Sequence, residues 1–134
     1  MIVCGHKVVE YVANLTNDFG DFGAAVGIGV EKNGELVGGV VFNEYNGPNI
    51  NMHCASTDKR WLSKEALRFF FAYPFEQVKV KRITALVGEK NDKSIKLIEG
   101  VGFRYETKLS DAHPTGDLLV YVMNKKDCKW LLNH

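Results

Sequence analysis

The chain is short of cysteine, of proline, of net charge and of long hydrophobic runs, and each shortage excludes something. Three cysteines in 134 residues, Cys4, Cys54 and Cys128, are an odd count, widely spaced and without a CxxC pair. That spacing argues against a disulfide framework or a zinc site and for a reducing, cytoplasmic setting. The histidines His6, His113 and His134 are scattered without metal-ligand spacing and read as surface residues, so no metal is expected. A net charge of +1 gives no bulk field to draw the chain onto nucleic acid or an anionic membrane, and no basic stripe stands out. No window is long and apolar enough to span a bilayer, and the N-terminal MIVCGHKVVEYVANL lacks the apolar run of a signal peptide. With no repeat, low-complexity stretch or Pro/Gly-rich linker, residues 1–134 read as one domain.

What is present is a core-forming composition, 46% hydrophobic and 25% charged, that suits a globular domain of this length. The most informative stretch is Arg82 to Tyr105, RITALVGEKNDKSIKLIEGVGFRY. Ile83, Ala85 and Val87 alternate with Thr84, Leu86 and Gly88, so both faces are largely apolar, as in a strand covered on both sides. Asn91 stands where a helix N-cap belongs. Ile95, Leu97, Ile98 and Val101 follow at helical spacing. Gly100 and Gly102 offer a stop, and Phe103 leads into another strand.

The rest of the chain falls around that unit. Val8, Val9, Val12 and Leu15 predict a first helix near residues 5–16, ended by the Gly-rich passage Phe19 to Gly23. Ala24 to Val30 and Leu36 to Tyr45 predict strands, joined by a hairpin at Asn33-Gly34, where a type I′ turn needs positive φ at both central residues. A third strand follows over Asn49 to Ala55. Trp61 to Tyr73 predicts a helix with Leu62, Ala66, Phe69, Phe70 and Tyr73 inward and Pro74 as its boundary. Asp117 to Met123 reads as a strand and Asp127 to Leu132 as a closing helical turn. Antiparallel hairpins followed by strand-helix-strand-helix-strand predict an α/β domain whose mixed central sheet turns from antiparallel to parallel pairing, flanked by helices.

Asn91-x-x-Ser94, then Leu97-x-Glu99-x-x-Gly102-Phe103, then Gly116-Asp117 before an apolar strand, together resemble the Gcn5-related N-acetyltransferase (GNAT) superfamily. The ribosomal-protein-acetyltransferase-like branch looks most similar, with Tyr73-Pro74-Phe75 standing for its Tyr-x-Phe segment. Short, prophage-type members also look similar, including the Arg60-Trp61-Leu62 run. The resemblance covers about residues 5–132. It implies a GNAT-like acyl-CoA N-acyltransferase fold, with acetyl-CoA as co-substrate in a V-shaped gap between splayed strands, here Asn49–Ala55 and Arg82–Gly88. The acceptor would be a primary amine of a protein or small molecule, attacking directly. A homodimer is compatible with folds of this kind.

By the same resemblance, Cys54, Ala55 and Ser56 would border the pantetheine, and Lys59, Arg60, Trp61, Leu62, Ser63 and Lys64 the pyrophosphate. Asn91 would contact the pantetheine and Ser94 the thioester. Two departures stand out. Trp61 and Ser63 occupy positions where the family has small residues, and Ile98 stands where many members have the Tyr that protonates the thiolate. Asp58 reads as the cap of the helix near Trp61. A weakly active or inactive module that binds acetyl-CoA is the alternative these departures raise.

Acetyl transfer to an amine needs a base, an oxyanion donor and a proton for the thiolate. His53 is the first candidate base because histidine titrates near neutrality, although strand parity could turn it away from the gap. Glu44 and Tyr45 are alternatives whose ordinary reading is a solvated strand end. Ser94 could hydrogen-bond the thiolate in place of the absent Tyr. Cys54 reads as a small buried residue rather than a nucleophile. The polar loop Ser110–Gly116 would border the acceptor entrance.

Overall fold

Residues 1–16 and 22–131 are described in a computed structural model, in which seven strands form one open sheet. The strands are β1 (Ile2–Cys4), β2 (Val26–Lys32), β3 (Glu35–Asn43), β4 (Asn49–Ser56), β5 (Arg82–Gly88), β6 (Arg104–His113) and β7 (Gly116–Asn124), and their spatial order is β1-β2-β3-β4-β5-β7-β6. Helix α1 (His6–Thr16) covers one face, while α2 (Lys64–Ala72) and α3 (Asp92–Val101) bring their apolar stripes to the other. Each side has its own core. The smaller gathers Val8, Val9 and Val12 over Val41, and the larger surrounds Phe42, Phe70, Phe71 and Phe75. Burying each of those phenylalanines contributes about 1.5–3 kcal/mol.

Several local expectations hold for the reasons given. Asn33 (φ 55°) and Gly34 (φ 82°) make the β2–β3 hairpin. Asn91 Oδ1 accepts the Ser94 N–H at 3.2 Å and caps α3, and the N–H groups of Gly102 and Phe103 close its other end onto Ile98 O.

Others are corrected. The strand expected from Leu36 to Tyr45 stops at Asn43, because Glu44 takes a left-handed φ of 55°. The helix expected from Trp61 starts only at Lys64. Its cap is Ser63, whose Oγ accepts the Ala66 N–H at 3.0 Å, rather than Asp58. That start puts Ala66, Leu67, Phe70 and Phe71 inward and leaves Phe69 half-exposed, and Leu15 on α1 is also exposed. Pro74 does not end the helix. The chain widens into a π-helical turn over Tyr73–Gln77, closed by Val78 N–H on Tyr73 O, where the missing proline N–H is tolerated.

The expected closing helix over 127–132 is replaced by a 3-10 turn at Lys125–Asp127. The sequence pattern gives no sign of β1, which is only three residues long. The Phe19–Gly23 passage lies mostly outside the described residues, as do Leu132 and His134.

The parallel half of the sheet is smaller than the sequence pattern predicts. Only β4 and β5 are parallel, because the β6–β7 hairpin folds β7 back between β5 and β6. The apolar LLVYVM of β7 suits a central position, and the polar RYETKLSDAH of β6, exposed along nearly all its length, suits an edge. That edge is broken by irregularities between Tyr105 and Thr107 and between Leu109 and His113.

Trp61 is buried with its ring against β3, and a Cβ on Gly38 would overlap the indole. Gly38→Ala should therefore destabilise the fold by about 1–3 kcal/mol, the range for overpacking a filled core, as read by urea unfolding. Three carboxylates join distant segments. Asp58 is held below the usual carboxylate range by the Arg60 N–H and then by Lys32. Glu106 is lowered by Arg82, and Asp117 by the Asp111 N–H and then Lys108. A lowered folded pKa stabilises the native state above the unfolded value, about 4, and that contribution is lost as the pH falls through the folded pKa. The melting temperature should fall below about pH 4, and a variant carrying Asp58→Asn, Glu106→Gln and Asp117→Asn should lose part of that acid dependence, monitored by circular dichroism.

Candidate active site

Strands β4 and β5 pair at four positions only, from Asn49–Arg82 to Met52–Ala85. Beyond them β4 stays bonded to β3 as far as Ser56–Gly38, while β5 stays bonded to β7 as far as Gly88–Leu118. Each strand continues with a different neighbour, so the two diverge into a wedge. On its inner edges the backbone of residues 53–56 faces that of residues 86–88 with no strand between them. Unpaired strand edges of this kind can bond an extended ligand as an added strand would.

The pleat sorts the wedge side chains onto two faces. Met52 and Cys54 of β4 and Ala85 of β5 point toward α2 and α3. There, with Leu62 of the loop before α2 and Leu97 and Ile98 of α3, they line an apolar cavity of about 30 Å³. Cys54 is a wall of this cavity, and burial pushes its thiol up to about 11. Ile98 is buried in the same wall and offers no proton.

His53 and Ala55 point to the opposite, α1 face. The His53 ring lies 4.6 Å from that of Phe22, and its Nε2 is 2.9 Å from Asn43 Oδ1. Asn43 is buried and spends its amide N–H on Phe22 O at 3.0 Å, so its oxygen is left to accept from the imidazole. His53 Nε2 thus carries a proton, held by a partner that cannot turn.

On the other wall, the same face is closed by a residue that the sequence reading put on the surface. His113, at the tip of the β6–β7 hairpin, sits over Gly88, where a Cβ would come 2.8 Å from its Nε2. Its Nδ1 accepts the Thr115 N–H at 3.2 Å and lies 3.1 Å from Thr115 Oγ1, which turns Nε2 toward β5. Gly88 shares its side of the pleat with Thr84 and Leu86, so His113 and His53 flank the wedge on one face, one on each wall. The sequence hint was a glycine ending an apolar strand, which reserves room for something above it.

The loop leading to α2 is tied down by Lys32. Lys32 Nζ donates to Asp58 Oδ2 at 3.1 Å and to Arg60 O at 3.2 Å, and Asp58 Oδ1 accepts the Arg60 N–H at 2.8 Å. With Trp61 turned inward, the outer side of the loop is left to Lys59, Arg60 and Lys64, all exposed and none in an ion pair among the described residues. They stand beside the first turn of α2, where free N–H groups and the helix dipole favour an anion.

Asn91 and the half-buried Ser94 open α3 just after β5, with the Asn91 N–H on Gly88 O at 3.0 Å, while Cys54 and Leu62 of the loop before α2 line one cavity and His53 lies on the other face of β4. Glu44 lies outside that group, exposed beyond Asn43 at the closed end of the wedge. Tyr121 is paired in register with Ala85. It donates its hydroxyl to Glu99 at 2.8 Å, does not line the cavity, and is pushed up to about 12 by burial and then by Glu99.

No protein-family model matches the sequence, and no curated protein matches it either. Solved structures do. A variant of the spermidine N-acetyltransferase SpeG from Vibrio cholerae superposes with a TM-score of 0.77 at 16% identity, over 99% of this chain and 98% of that one. A probable acetyltransferase gives 0.67 at 21% identity over 76% of this chain, which spans 63% of its length. The ribosomal-protein-S5-alanine acetyltransferase from Vibrio fischeri gives 0.63 at 18% identity, over 78% of this chain and 64% of that one. The fold is therefore that of the GNAT acetyltransferases, as the sequence resemblance implied.

Two of the cysteines, Cys4 and Cys54, offer a test of the wedge wall. Cys4 is exposed, whereas Cys54 is half-buried in the cavity wall with a raised pKa. Iodoacetamide at about pH 8 should modify Cys4 first, with Cys54 alkylation accelerating about tenfold for each added pH unit. Peptide mass spectrometry would read both, and equal rates at pH 8 would contradict the placement of Cys54.

Proposed function

We propose that this chain is an acetyl-CoA-dependent N-acetyltransferase that acetylates a primary amine, of a protein or a small molecule, by direct attack. The observation that carries it is the loss of pairing between β4 and β5 after Met52–Ala85 in a sheet of GNAT topology. The residues present fit the cofactor. Backbone groups of residues 53–56 can bond the amides of the pantetheine arm, and Cys54 and Leu97 supply an apolar wall. Lys59, Arg60 and Lys64 can neutralise the phosphates at the start of α2, as flexible point charges rather than a rigid glycine cradle. The inward turn of Trp61 removes the steric objection that its bulk raised in the sequence.

The acceptor amine approaches from the α1 face, where the two imidazoles flank the wedge. An unperturbed lysine-type amine has a pKa of about 10.4, so it needs a group to receive its proton, a contribution typically worth 10²–10⁴-fold in rate. His53 is proposed for that role and Ser94 for the hydrogen bond to the departing thiolate, while His113, whose Nδ1 accepts the Thr115 N–H and whose protonated Nε2 faces β5, borders the acceptor as a hydrogen-bond donor. Asn91 holds the first turn of α3 in place and so sets the position of Ser94. A reducing, cytoplasmic setting agrees with three free cysteines and with the absence, among the described residues, of any helix long and apolar enough to cross a membrane.

Calorimetry with acetyl-CoA tests the reading. Binding is expected at sub-millimolar ligand. Cys54→Trp should weaken it at least about tenfold by filling the wedge wall, with the far-ultraviolet spectrum retained. Ser94→Ala should lower thiol release in the presence of amines more than it lowers cofactor affinity. No heat at millimolar acetyl-CoA would overturn the reading.

A further inference from the structure

The pole of the sheet opposite the wedge mouth gathers charge that the sequence leaves dispersed. There the loop entering β5 and the turn leaving β7 are fastened to each other and to the loop before β4. Pro48 O accepts the Lys81 N–H at 2.8 Å and the Arg82 N–H at 3.1 Å, and Lys125 N–H donates to Lys81 O at 3.0 Å. The result is an open concavity of about 560 Å³, lined by Lys79, Lys81, Arg82, Lys125 and Lys126 over Pro48 and Val80.

No carboxylate lines it. Glu106 pairs with Arg82 at 3.0 Å, and no ion pair among the described residues involves the four lysines. Arg82 Nε is buried with no hydrogen-bond partner among the described residues. Five of the 17 basic residues of a chain with net charge +1 thus meet in one hollow, and their mutual repulsion opposes folding.

We propose that this pole binds a small phosphate chain, such as a triphosphate, at a site separate from the wedge. Lysines are point charges suited to phosphate oxygens. The pinned backbone holds their stems together before any ligand arrives, which lowers the ordering cost of binding. The hollow has the size of a small-molecule site, and it has no aromatic side chain on which a nucleobase could stack. The ligand chemistry is therefore the phosphate chain itself, whether bare or carried by a nucleoside.

The test is calorimetry of the full chain with inorganic triphosphate and, separately, with ATP, each repeated in saturating acetyl-CoA. Triphosphate is expected to bind in both conditions, and a variant carrying Lys81→Gln and Lys125→Gln should lose about tenfold or more in affinity. ATP binding no tighter than triphosphate would identify the bare chain as the ligand, and tighter ATP binding the nucleoside-borne one. The same variant should melt no lower than the parent in the absence of ligand, because it relieves repulsion. Lys59→Gln with Arg60→Gln should leave triphosphate binding unchanged. The proposal is overturned by absence of binding at millimolar triphosphate and ATP, by displacement with acetyl-CoA, by loss of binding in the Lys59/Arg60 variant, or by a short single-stranded oligonucleotide binding more tightly than triphosphate.

Discussion

Backbone hydrogen bonding on β4 and β5 is the constraint on which the site depends. Each strand has two edges and must satisfy both. β4 spends one edge on β3 from Asn51 to Ser56, and β5 spends one on β7 along its whole length, so the two have only their facing edges to share. The right-handed twist carries neighbours apart unless pairing holds them, and here pairing holds for four positions. The wedge is a consequence of where hydrogen bonds stop rather than of any special residue at its apex. The side chains around it follow from strand parity. One alternation of the pleat sends Cys54 to the dry wall under the helices and His53 to the face reached from the α1 side.

The features legible in the sequence are those specified locally. Asn33-Gly34 can make one kind of turn, Asn91 can cap the helix that begins beside it, and the apolar spacing of α1 and α3 matches the period of a helix. What was not legible depends on residues far apart in the chain. The place of β7 between β5 and β6 is decided by the burial available to its apolar run. The start of α2 is decided by the Ser63 hydroxyl and by the fit of Trp61 onto Gly38, two residues separated by a strand and a loop. Phe69 is as hydrophobic as Phe70 and lies outside because the helix phase is set by that late start. The site follows the same division. Asn91 and Ser94 occupy a helix start that a local motif specifies, whereas His113 acquires its position through a hairpin that returns to cover Gly88.

Charge is organised in the same distributed way. Lys32 of β2 clamps the loop before α2, Arg82 of β5 grips Glu106 of β6, and Asp117 of β7 holds the Asp111 N–H across the bulged hairpin. Exposed pairs contribute little individually to stability. Their effect is geometric, since each fastens a loop or strand end that borders either the wedge or the lysine-lined pole.

The irregular β6 bears on how copies of the chain can meet. A regular, ten-residue edge strand would offer a second molecule a ready ladder of amides and carbonyls. Two bulges and a left-handed Asp111 break that ladder into short, twisted pieces, and β1, at the other margin, is three residues long. Neither margin of the sheet is a template for runaway strand-by-strand growth. Among the described residues, the resistance of these margins to strand addition comes from geometry rather than from net charge.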